Sequence, residues 1–97
     1  MSQYVAIVED AGPDKAVGVW FPDLPGCFSA GDTLDEAISN ASAAVALYAE
    51  ALEEQGGTLP SPRSLSSLKG DPAFRADLQG NMVALIAMPE RISTAAE

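Results

Sequence analysis

The sequence predicts an α+β domain: an antiparallel three-stranded meander, a long helix packed on it, and a fourth strand near the C-terminus. Two alternating stretches, 4–9 and 16–21, flank a run of turn formers, the pattern of a hairpin with a packed face. Leu34, Ile38, Ala41, Val45, Tyr48 and Leu52 then recur at steps of four and three, which draws one apolar stripe along a helix. Residues 82–88 are all apolar over strand length, as in a strand covered on both faces or buried at an interface.

In the first strand Tyr4, Ala6 and Val8 alternate with Val5, Ile7 and Glu9, and Asp10-Ala11-Gly12-Pro13-Asp14 turns the chain. In the second, Val17, Val19 and Phe21 share one face while Gly18 and Trp20 share the other. Pro22 and Pro25 each fix φ near about −65° and push the preceding residue toward extended backbone, so the loop is stiff. Gly26 and Gly31 offer backbone freedom for turns on either side of a short third strand over 27–29. Thr33 and Glu36 stand three apart ahead of the periodic stretch, the spacing of a capping box, so the helix begins at Leu34. It closes after Gln55 at Gly56-Gly57.

The segment 58–80 is too long for a structureless loop in a compact domain, and two short helical pieces are expected in it. One covers 64–68; the other opens at Asp71-Pro72, a cap residue followed by proline at the first helical position. Pro89 ends the last strand, so the core is expected over 3–88 and a flexible tail over 89–97.

With 97 residues and 47% hydrophobic content the chain is read as one domain with a single core. Its net charge is −9, and the five basic residues, Lys15, Arg63, Lys69, Arg75 and Arg91, are never clustered. Phosphate backbones would be repelled, which argues against direct nucleic-acid binding, whereas a basic protein would be steered toward the chain. No apolar run approaches the ~18 residues of a membrane span, and Met1-Ser2-Gln3 leads into a strand instead of a signal sequence. A soluble cytoplasmic protein is expected. One cysteine and no histidine exclude an internal disulfide and the usual zinc ligand sets, so no metal or other cofactor is expected.

Glu9, Asp10, Asp14, Asp23, Asp32 and Glu36 carry oxygens of the kind that hold divalent metals in hydrolytic sites. Turn and cap roles explain most of them, and without histidine or a base beside Cys27 neither acid–base nor thiol catalysis has a candidate. Asp23 either accepts backbone N–H bonds across Gly26 or contacts a partner. Trp20, Phe21 and Phe28 fit a core, yet Trp20, opposite Val17 and Val19, is also a candidate interface anchor. Cys27 reads as a small buried hydrophobe. Glu50, Glu53 and Glu54 crowd a helix C-terminus, where negative charge opposes the macrodipole, and are candidate contacts for a basic partner.

The run Phe21-Pro22-Asp23-Leu24-Pro25-Gly26-Cys27, then Ser29, Gly31-Asp32-Thr33 and Asp35-Glu36-Ala37, follows a strand that carries Tyr4 and Glu9-Asp10. A long helix and the pair Pro60 and Pro62 come after it. This pattern resembles the HicB-like antitoxin family, densely over 4–64 and less strictly over 82–88. The resemblance implies a partial RNase H-like fold that binds and blocks a small basic RNA-cleaving toxin of the HicA type, and a homodimer or homotetramer. Many members also carry a C-terminal ribbon-helix-helix or helix-turn-helix module; none is expected here. On this reading the chain is the non-catalytic antitoxin of a type II pair, with Trp20, Asp23, Glu50, Glu53 and Glu54 as partner-binding residues. Two other readings stay open: a metal-dependent nuclease on the same topology, and a stand-alone regulatory domain without a toxin.

Overall fold

Residues 3–87 are described by a computed structural model, and within them the alternating stretches become strands of one antiparallel sheet. β1 (Gln3–Asp10), β2 (Val17–Trp20) and β3 (Phe28–Gly31) form the expected meander. β4 (Met82–Ala87) pairs with the other side of β1, giving the order β3-β2-β1-β4. α1 (Leu34–Glu54) packs on one face of the sheet, while α2 (Leu65–Leu68) and α3 (Pro72–Leu78) pack on the other. Met88 and the expected tail lie outside the described residues.

The strand buried on both faces is β1, not β4. Tyr4, Ala6 and Val8 join Val17, Val19, Phe21, Leu24 and the inner face of α1; Val5 and Ile7 join Leu68 and Phe74 on the opposite side. β4 is an edge strand. Its Ile86 is buried, but Met82 and Leu85 remain 43% and 56% exposed because neither helical layer extends over them. An unbroken apolar run therefore marks a strand here without marking its depth.

The expected stripe on α1 is rotated in the structure. Ala37, Ala41, Val45 and Ala49 form the buried centre line, Ile38 and Tyr48 flank it, and Leu34 is 40% exposed. Small side chains let the helix backbone sit close to the sheet, so the bulky positions move to the margins of the contact. At the N-terminus Thr33 Oγ1 accepts from Glu36 N at 3.1 Å. The Glu36 carboxylate takes the N–H of Asp32 at 2.6 Å, one residue before the cap that the capping box would supply. At the C-terminus Gly56, with φ 82°, donates to Glu53 O and Gly57 donates to Leu52 O at 2.8 Å, a Schellman closure.

Other boundaries move for local reasons. Leu24 N bonds Phe21 O and Cys27 N bonds Leu24 O, so Phe21 and Cys27 belong to the loop; β2 stops at Trp20 and β3 starts at Phe28. Gly31 is required for space and not for backbone freedom: a Cβ there would stand 2.5 Å from Ala37 N. Both short helices form as expected, with Ser64 Oγ accepting from Ser67 N and Asp71 Oδ1 from Ala73 N.

Candidate functional site

The stiff loop after β2 is fixed from two directions. Tyr48 Oη, on α1, donates to Pro25 O at 3.0 Å. The Asp23 carboxylate, whose side chain is only 8% exposed, accepts from Arg63 N at 2.8 Å and from Arg63 Nε at 2.7 Å. Arg63 Nη1 also reaches Asp71 Oδ2 at 3.4 Å. Hydrogen bonding and charge from Asp23 hold the Arg63 guanidinium more firmly protonated than usual. The backbone N–H of Ala73, with help from Arg63, holds Asp71 below the ordinary carboxylate range. Tyr4 Oη donates to Pro60 O, and burial, aided by the nearby Asp23 charge, raises its pKa. Asp23 thus accepts its backbone N–H forty residues downstream, not across Gly26.

The five residues singled out from the sequence do not form one cluster. Trp20 is partly buried on the sheet face away from α1, packed against the group that holds Val5, Ile7, Leu68 and Phe74. Asp23 is tied to Arg63 as described. Glu50 and Glu54 are exposed on α1, on the opposite side of the sheet from Trp20. Glu53 borders a hollow with Tyr4, Thr58 and Pro60. Cys27 is 4% exposed, and burial pushes its thiol pKa up, away from the thiolate form a nucleophile needs.

Two exposed apolar residues escaped the sequence reading. Phe28, read above as core, is 70% exposed on the edge strand, and Leu47 is 66% exposed on α1. For Leu47 a signal existed: it is a large apolar residue off the helical stripe. For Phe28 none did, since only the strand order makes β3 an edge.

Charge is segregated along the chain. Residues 16–62, which include β2, β3 and all of α1, contain Asp23, Asp32, Asp35, Glu36, Glu50, Glu53 and Glu54 and no lysine or arginine. Lys15 precedes that stretch and Arg63 follows it, paired with Asp23; Lys69 and Arg75 lie in or beside α2 and α3, on the other face. Among the described residues no three carboxylate or thiol side chains converge at metal-binding distances. Glu36 is committed to a cap, and Asp10 Oδ1 accepts from Gly12 N at 3.4 Å across the hairpin turn. Among the described residues no helix is long and apolar enough to cross a membrane.

Solved structures share this architecture. The antitoxin HicB of Burkholderia pseudomallei superposes with a TM-score of 0.74 at 27% identity, over all of this chain and 76% of that one. A chain of the HicA3 and HicB3 toxin-antitoxin complex matches with a TM-score of 0.70 at 28% identity, covering 91% of this chain and 99% of that one. The antitoxin HicB3 matches at 0.72 and 27% identity, over 98% of this chain and 68% of its own. In sequence, an uncharacterized 14.9 kDa protein from the rep-hol intergenic region of Haemophilus phage HP1 is 36% identical over 72 residues. That match takes in 74% of this chain, which spans about half, 53%, of the phage protein's length. The pattern described as HicB_like antitoxin of bacterial toxin-antitoxin system matches residues 4–95, so the chain belongs to the HicB-like antitoxin family.

Proposed function

We propose that the chain is the antitoxin of a type II toxin-antitoxin pair, neutralising a small basic RNA-cleaving toxin of the HicA type by covering it. The observation that carries the reading is the charge segregation: a helix of twenty-one residues with five acids and no base lies above a sheet in a member of an antitoxin family. Such a face attracts a basic protein and repels phosphate, which favours capture of the toxin over contact with its RNA. The local tasks of Asp10, Glu36 and Asp23 support a non-catalytic role. Glu50, Glu53 and Glu54 are the proposed acidic contacts, while Trp20 and Asp23 serve indirectly by holding the end of β2 and the loop that follows it. The protein acts in the cytoplasm, without cofactor or direct nucleic-acid contact.

A homodimer or homotetramer belongs to the same proposal. The outer side of β4 is paired with no described strand, and Met82 and Leu85 stand exposed beside it; on each edge α1 meets one carbonyl, Ala30 O through Asn40 Nδ2 at 2.8 Å and Ala87 O through Ser42 Oγ at 3.4 Å. Uncovered apolar edges of this kind are normally paired or hidden. The antitoxin reading is tested by co-expressing the chain with the HicA-type protein of the same locus: growth should be restored and the two should co-purify. Growth arrest with no complex would refute it.

A further inference from the structure

The second apolar surface that the fold leaves in water lies on the acidic side. Leu47 and Phe28 line one shallow hollow of about 270 Å³ together with Gly26, Cys27, Ala44 and Tyr48. It is preformed: the Tyr48 Oη bond to Pro25 O and the turn bonds of Leu24 and Cys27 fix the loop on one side, and α1 fixes the other. Its size and openness suit one or two side chains of a protein surface better than an enclosed small molecule. Glu50 and Glu54 follow Leu47 at three and seven positions, on the same helix face, and both are exposed.

We infer that this groove is an anchor seat for the basic partner, taking an apolar side chain that is flanked by lysine or arginine, with Leu47 as the central contact and Glu50 and Glu54 as its charged rim. The inference rests on the antitoxin reading and deepens it. A second copy of the chain fits poorly, because residues 16–62 of both copies would bring acids and no base to the contact. Desolvated apolar anchors govern how long a complex lasts, whereas rim charges govern how fast it forms.

The test compares the wild-type chain with Leu47→Gln, a substitution that keeps helix propensity, and with Phe28→Ser, by surface plasmon resonance against the catalytically inactivated HicA-type toxin of the same locus. Unchanged thermal melts establish that both variants fold. Leu47→Gln should speed dissociation by about tenfold or more while altering association by less than about threefold. Dissociation from both variants at the wild-type rate would overturn the seat and leave the antitoxin reading standing. No binding by the wild type would overturn that reading and the seat with it. A change confined to self-association, seen by light scattering, would assign the groove to a second copy and overturn the inference.

Discussion

The two faces of the sheet are built differently. On one, a single long helix packs through a line of alanines and Val45, and the charged residues it carries are all acids. On the other, two short helices are carried by an extended segment that is tied down by the Arg63 bonds to Asp23 and Asp71 and by two bulky plugs, Leu68 and Phe74. The two faces divide the labour of the fold. The α1 face has continuous internal hydrogen bonding and spare surface to offer a partner, while the α2–α3 face spends its side chains on completing the core.

The largest expected effect breaks the second face. Leu68 is fully buried, and Leu68→Ala should cost about 2–5 kcal/mol in a urea melt. A loss below about 1 kcal/mol would mean that α2 is not an integral layer. Next comes the closest approach on the first face. Gly31→Ala drives a Cβ into the backbone at Ala37 and Glu36, and should cost about 1–3 kcal/mol, where a turn position with open space would not.

Smaller effects sharpen the contrast. Arg63→Gln removes the guanidinium bonds to Asp23 and Asp71 but keeps the backbone N–H of residue 63 on Asp23, and it should lower the melting temperature less than either core change, because the guanidinium side chain is 43% exposed. It should also raise hydrogen exchange over 58–71 while leaving α1 protected. The pH dependence follows the same geography. Asp71 is lowered from 3.8, so its contribution is present above that value and fades as pH falls through the lower folded one. Cys27 is raised from 9.0, so its contribution is complete below pH 9.0 and fades as pH rises toward the folded value. Arg63→Gln should soften the acid transition, and Cys27→Ala should soften the alkaline one.

The α1 face was legible in the sequence because periodicity, the Thr33 cap and the Gly56-Gly57 closure are local signals. The line of Ala37, Ala41 and Ala49 around Val45 was harder to read, since alanine matches a helix on any face. The other face was legible only as elements: Ser64, Asp71 and Pro72 announce helix starts, but nothing local says that Leu68 and Phe74 will meet Val5 and Ile7. The pairing of Asp23 with Arg63 spans forty residues and has no short-range signature. For the candidate site, the acids of α1 could be read directly, whereas the exposure of Phe28 depends on which strand ends the sheet.

If the acidic α1 face receives a basic toxin, the association rate must depend on salt. Binding of the inactivated HicA-type toxin of the same locus should slow steadily from low to high ionic strength as charges are screened beyond about 8 Å at physiological salt. Glu50→Lys together with Glu54→Lys should lower that rate more than it speeds dissociation, and should flatten its salt dependence. An association rate that is flat across salt for the wild type, or unchanged by the double reversal, would show that the acidic α1 face does not receive the toxin.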